Sequence, residues 1–386
     1  MPNQPEKWWF IEANDVLMFR DSKPFAAGQN FTARSTFPPH PRVMQGVIRT
    51  HILELAGADF AGFAAERADA KVHKIVGSPS RFGELVLTGP FVARRTKNGI
   101  ERLFRAPLDV LQSKDEDQDK DKKGEKQSLI RLKPSRREGY FTNSPFGNGE
   151  KWFPLLQERG GAGKEISGWL SEANYLNYLK GEPVTKILKD DDLYHTESRV
   201  GLGLDYSRRR GADHQFYQAE FIRPHTDPIN DTATGLLVGT ANDDNLIKPG
   251  PIAIGGEGRT GTIRVATGYA PRDLITAREG RVKVVLLTPA YFTGGYKPAS
   301  WEKFVGKDAK LVALAIGKPQ VISGWDLANK RPRPARHLVP AGSVFYFEGA
   351  HLPDLPIPFT ESPTAEEAYA QMGFGAIATA TWDYLD

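Results

Sequence analysis

The sequence predicts an α+β fold built on two antiparallel sheets, each carrying a helix or two. Stretches rich in β-branched and aromatic residues outnumber helical ones and follow one another in irregular order, whereas a parallel α/β sheet needs regular strand and helix alternation. The connections are dense in turn formers, with 38 glycines and 28 prolines among 386 residues. That length suits two cores. The border is placed after residue 200, giving domains 1–200 and 201–386.

In chain order, Trp8 to Phe19 reads as an opening strand followed by a turn at Arg20 to Lys23. Phe37 to Pro41 (FPPHP) suits a helix start, because proline lacks an amide donor that the first turn does not need. From there Val43, Val47, Ile48, Ile52 and Leu55 recur at helical spacing up to Gly57. Glu84 to Ala93 reads as strand, continuing near Leu103. Ser113 to Gln127 holds six acids, five bases and no apolar residue, so 113–127 is expected to be a disordered or hairpin-tip insertion.

A short helix is expected at Leu170 to Lys180, then a strand at Phe216 to Ile222. Further strands are expected at Gly235 to Gly239, Gly261 to Val265, Arg281 to Leu287, Leu311 to Ile316 and Ser343 to Phe347. A last helix is expected at Thr364 to Gln371.

Composition excludes several functions. With no cysteine there is neither a disulfide framework nor a thiolate metal site, in keeping with a cytoplasmic protein. No apolar run approaches the roughly 18 residues of a membrane span, and no leader pattern opens the chain. The eight histidines show no metal-site spacing, so no metal and no cofactor are expected. Gly201 to Gly203, Ile254 to Arg259 and Gly373 to Gly375 match no nucleotide-hydrolysing P-loop, although glycine lets a backbone approach a phosphate.

The net charge is only +4, so any basic surface must come from clusters. Four exist: Arg94 to Lys97, Arg131 to Arg137, Arg208 to Arg210, and Lys330 to Arg336. Each alone reads as a solvated face. Aromatic residues interleave with some of them, a pattern compatible with single-stranded RNA held through phosphates and stacked bases. An acid–base ribonuclease would need a histidine or tyrosine beside a cation, which His214 near Arg208 to Arg210 and Tyr217, or His337 beside Arg336, could supply.

Six segments stand in order: FRDSKPF from Phe19, FPPHPRVMQGVIR from Phe37, GLGLD from Gly201, GGEGR from Gly255, GWD from Gly324 and PAGSVFYFE from Pro340. Together they resemble the third subunit of the type III-B CRISPR Cmr effector complex, in the RAMP superfamily. The resemblance implies two ferredoxin-like, RRM-type domains with glycine-rich loops. It implies a non-catalytic subunit in antiviral defence that holds the 5′ repeat-derived tag of the CRISPR RNA. It also implies contact with the large polymerase/cyclase-like subunit and with backbone subunits. The rival within the superfamily is a metal-independent endoribonuclease that processes precursor RNA.

Carried across, the residues expected at RNA are Arg20, Lys23, Arg34, Arg42, Gln45, Gly46 and Arg49 in the first two motifs. Arg208, Arg209, Gly255, Gly256 and Arg259 follow in the middle of the chain. Arg331, Arg333, Arg336, His337, Gly373 and Gly375 complete the set. Glu257 and Asp326 are expected to orient arginines or fix loops.

Overall fold

The computed structural model describes residues 5–22, 32–65, 67, 69–79, 81–113, 129–137, 152–158, 163–205, 210–326, 331–355, 357–364 and 367–385. Its larger sheet contains β1 (Lys7–Ala13), β2 (Val86–Thr96), β3 (Gly99–Arg105), β4 (Trp169–Ser171), β5 (Thr232–Ala241), β6 (Gly250–Ala253) and β7 (Thr260–Val265). These lie in the order β6-β7-β1-β5-β2-β3-β4, and a short strand, Thr226–Asp227, also pairs with β5. The second sheet holds β8 (Glu279–Leu286), β9 (Lys310–Ala315), β10 (Val344–His351) and β11 (Ile377–Thr381) in the order β9-β10-β8-β11. All these pairings are antiparallel.

Helices are few. α1 (Pro41–Leu55) follows β1, with Pro41 in its first turn, as the FPPHP segment predicts. Short helices α2 (Phe60–Ala64) and α3 (Ala70–Val76) both start at aspartates, Asp59 and Asp69, whose carboxylates accept from amides of the first turn. α4 (Glu172–Lys180) starts at Ser171, whose hydroxyl accepts from the Asn174 amide. In the second half, α5 (Glu302–Val305) lies between β8 and β9, and α6 (Tyr369–Met372) between β10 and β11.

Alternation along the strands explains the layering. On β1, Trp9 and Ile11 face Met44, Ile48 and Ile52 of α1, while Trp8 and Phe10 face the other way, into a core shared with Val285 and Tyr346 of the second sheet. The second sheet repeats the pattern: Val282, Val284, Phe345 and Phe347 enter a third core with Phe292, Phe304 and Phe359. The sequence of layers is therefore α1, first sheet, second sheet, then an aromatic cluster with α5.

Four expectations are corrected. The border at 200 falls inside a strand, and β1 and β2 from before it pair with β5 and β7 from after it; the break between sheets lies between Val265 and Glu279. Local composition marks a restart there, but the hydrogen bonds that define the sheet are non-local. GLGLD is likewise no glycine-rich loop: it ends the strand Tyr194–Asp205, which pairs with Arg210–Pro224 in a long hairpin arm. The last helix is shorter than expected, and the opening strand ends at Ala13 rather than Phe19. Residues 114–128 lie outside the described residues.

Candidate nucleic-acid interface

The arm is the framework of the site. Leu17 exchanges backbone hydrogen bonds with Ile222 on the arm at 2.8 Å each way, and Thr32–Ala33 runs parallel to Gln218 and Ala219. Arg20 bridges to Ser35 between these two segments. The loop joining β6 to β7, residues 254–259, closes on itself through Ile254 N–H to the Arg259 carbonyl, 2.9 Å, and is tied to the same strip by Gly256 N–H to the Met18 carbonyl, 2.8 Å. Gly255 is required here: its φ is +82°, and a Cβ would stand 2.5 Å from the Met18 oxygen. Glu257 also adopts a left-handed φ, +58°, which a non-glycine residue rarely does.

These elements bring Arg20, Arg199, Gly201, Tyr217, Phe221, Glu257 and Arg259 around one cleft of about 260 Å³. Gly201 lies opposite Tyr217 across the arm, and any side chain at 201 would collide with that ring. Tyr217 is 43 % exposed, so a ring face is presented beside the guanidinium groups.

The floor is an ion network. Arg223 donates to Asp15 and to Glu197 at 2.8 Å each, and Arg199 donates to Glu197 at 2.7 Å. The Arg259 guanidinium is 3.9 Å from Asp15, and both it and Arg199 lie over the Phe221 ring. Hydrogen bonds from Arg223 hold the Asp15 carboxyl below its ordinary range, and those from Arg199 do the same for Glu197. Arg259 Nε is buried without a hydrogen-bond partner. Counting Arg20 and Glu257, four arginines meet three carboxylates, and among the described residues the exposed amides of Glu257 and Gly258 have no intramolecular acceptor. Such a constellation can hold a phosphate by guanidinium and amide donors and stack a base on tyrosine.

Arg20, Gly255, Gly256 and Arg259 of the expected set thus converge, and Arg34 is exposed on the flanking strip. The second motif does not join them. Arg42 is half-buried and paired with Glu367 at 3.0 Å and with the Tyr369 hydroxyl, tying α1 to α6. Arg336 shares that carboxylate at 3.7 Å. Arg49 donates to the Ser78 carbonyl, 2.8 Å, over the Phe82 ring; burial and the charge of Arg333 pull its pKa down to about 10. Gln45 is buried, and Gly46 faces open solvent on α1.

Arg331 and His337 are exposed on a hairpin arrangement that includes Gln320–Ile322 and Arg336–Leu338, and Ser22 donates to the Val321 carbonyl from the first motif, 2.7 Å. Gly373 and Gly375 are corrected outright. Both are buried: Gly373, at φ +100°, lets α6 approach the Gly89 backbone on β2, and Gly375 packs on the Phe359 backbone. Lys23, Arg208 and Arg209, and the side chains of His214 and Asp326, lie outside the described residues.

Asp15, Glu197, Arg199 and Arg223 belong to no motif that the sequence singles out. Glu197 and Arg199 two apart on a strand share a face, which is the one signal the sequence offers. Among the described residues no cluster of three or more His, Cys, Asp or Glu could hold a metal ion, and no helix is long and apolar enough to cross a membrane.

A family model described as CRISPR-associated protein (Cas_Cmr3) matches residues 9–382. No curated protein matches the chain. Among solved structures it is similar to a chain of the type III-B Cmr-beta complex bound to cognate target RNA and AMPPnP in state 1, at 15 % identity and a TM-score of 0.48. That likeness covers 88 % of this chain and 86 % of the other. A chain of the same complex bound to cognate target RNA gives 16 % identity, a TM-score of 0.48 and the same coverage.

Proposed function

Because this chain belongs to the CRISPR-associated protein (Cas_Cmr3) family, we propose that it is a non-catalytic subunit of a cytoplasmic type III-B effector complex for antiviral defence. In this reading it grips the 5′ repeat-derived tag of the CRISPR RNA and docks the large polymerase/cyclase-like and backbone subunits.

The observation that carries the reading is the convergence of three separated motifs, through Arg20, Gly201 and Arg259, on one cleft beside an exposed tyrosine. A tag of fixed sequence can be held by base contacts as well as phosphate contacts, whereas a variable spacer can be held only through backbone and shape. A cleft pairing guanidinium groups with an aromatic face serves the first task. The reading includes two ferredoxin-like domains, supported by strand order. Numbering core strands along the chain within each sheet, β7-β1-β5-β2 and β11-β8-β10-β9 both run 4-1-3-2, all antiparallel, with a helix after the first strand.

The test is binding of tagged RNA across a salt series by the wild type and by Arg20→Ala/Arg259→Ala. The double variant is expected to bind more weakly, with a slope of log K against log salt that is shallower by roughly 0.7 for each phosphate it no longer neutralises. Unchanged affinity and slope would overturn the assignment of this cleft.

A further inference from the structure

A second opening, of about 670 Å³, lies at the base of the arm, where the arm meets the larger sheet. Its walls come from the end of β1, from β2 and from both strands of the arm, and they include Asp15 and Arg223 of the ion network under the arm cleft. The pairing register links the two places. His195 lies opposite Arg223, Glu197 opposite Phe221, Arg199 opposite Ala219 and Gly201 opposite Tyr217, so these pairs stand on one face of the arm from base to cleft. From His195 to Gly201 that face runs for roughly 20 Å.

Three nitrogen side chains meet at the base. The His195 and His225 rings are in contact, with centroids 4.3 Å apart. Arg94, which opens the first basic cluster of the sequence, donates to the Asp192 carbonyl at 3.2 Å, and its charge reaches the His225 ring. Among the described residues Arg94 has no carboxylate within ion-pair distance. The carboxylates that line the opening are already taken. Asp15 accepts from Arg223 at 2.8 Å, Asp192 from the Lys189 amide at 2.7 Å, and Asp227 from the amides of Ile229 and Asn230 at 3.0 and 3.1 Å. Hydrogen bonds from Asn230, helped by the charge of Lys97, hold the Asp227 carboxyl below its ordinary range.

The uncommitted charge at the base is therefore positive, and the histidines make it adjustable. Burial first, then the His195 ring and Arg94, lower the His225 pKa, against a smaller upward pull from the Asp192 carbonyl and carboxylate. An anion placed beside Arg94 and His195 acts the other way, because an opposite charge favours a protonated ring. Guanidinium and imidazolium donors together suit a phosphate. We infer that the base of the arm holds a second phosphate group, between Arg94 and the His195–His225 pair, and takes up a proton as it does so. The face shared with Tyr217 makes the backbone of the same single-stranded RNA its occupant, and in this the inference rests on the RNA-binding reading; a free phosphate group is the other source of that chemistry.

The experiment measures binding of tagged RNA to the full chain at pH 6 and pH 8. In parallel, NMR follows the His225 ring protons, assigned by their loss in His225→Asn, during titration with RNA or with sulfate. Neither ligand's phosphodiester or sulfate charge changes over that range, so a pH effect belongs to the protein. RNA is expected to bind roughly tenfold more tightly at pH 6. His195→Asn/His225→Asn is expected to bring that ratio close to one, and Arg94→Ala to make the slope of log K against log salt shallower by roughly 0.7. In the wild type, bound anion is expected to raise the pH at which the His225 ring titrates.

A rise with RNA supports the RNA backbone as occupant, and a rise with sulfate but not with RNA supports a free phosphate group. RNA that binds equally at both pH values, with His225 unmoved by either ligand, overturns the inference and leaves the arm cleft untouched. A pH effect that survives in the double histidine variant overturns it too. So does a response of His225 to polyglutamate alone, which would make the base a contact for an acidic protein segment. Failure of the wild type to bind RNA at all would sink the RNA-binding reading instead, and the sulfate titration would still decide the site.

Discussion

His40 stands just before α1 with its Nδ1 buried and without a hydrogen-bond partner, next to the Arg42 guanidinium. Burial is the larger cause and Arg42 the smaller, and both act against the charged ring. The folded pKa of about 4 lies below the ordinary 6.5, so between those values the unfolded chain binds more protons and stability rises with pH. The contribution is full above pH 6.5 and is lost as pH falls toward 4, by roughly 3 kcal/mol in all. Urea unfolding at pH 7 and pH 5 should show this loss, and His40→Leu should flatten that limb. An equally steep limb in the variant would move the acid sensitivity to other groups.

α1 shows what an element reveals about itself. Its core face is legible in the sequence, because Val47, Ile48 and Ile52 repeat at helical spacing and are buried. Its polar face is not: Arg42 and Arg49 read as RNA ligands, but their partners, Glu367 and Ser78, are supplied by segments far away or on another element. No spacing rule encodes such partners. Gly46 tests the point. It sits mid-helix with open space where a Cβ would go, so Gly46→Ala should stabilise the fold by about 0.5–1 kcal/mol. With Arg42 and Arg49 turned inward, RNA affinity should stay the same. A loss of affinity measured by filter binding would return this face of α1 to the interface. The strands of both sheets are legible within a few residues from alternation and turn chemistry, whereas the arm is only half visible, since Gly201 of GLGLD makes room for the Tyr217 ring within a strand rather than shaping a loop.

At the scale of the whole molecule, the two sheets meet across a core in which Asp109 and Lys283 form a buried ion pair. The Asp109 carboxylate accepts from the Tyr178 hydroxyl at 2.7 Å, the Tyr346 hydroxyl at 2.8 Å and the Lys283 ammonium at 3.1 Å. Asp109 follows β3 and Tyr178 lies on α4, whereas Lys283 and Tyr346 belong to β8 and β10, so the cluster fastens the second sheet to α4 and to the segment that leaves β3. Lys283 stands 174 positions from Asp109, which is why sequence reading places a border between the halves without seeing what joins them. Burial lowers the lysine pKa although the carboxylate beside it raises it. Such a pair contributes little net stability against apolar replacements, but breaking it strands a charge. Asp109→Ala should therefore cost roughly 3–5 kcal/mol, with Lys283 left unpaired among tyrosines. Asp109→Leu/Lys283→Met should cost less than the sum of its single changes, because the double variant buries no lone charge. Urea denaturation of the four proteins gives the coupling directly. Additive losses would mean that packing alone, and not this pair, locks the second sheet in place.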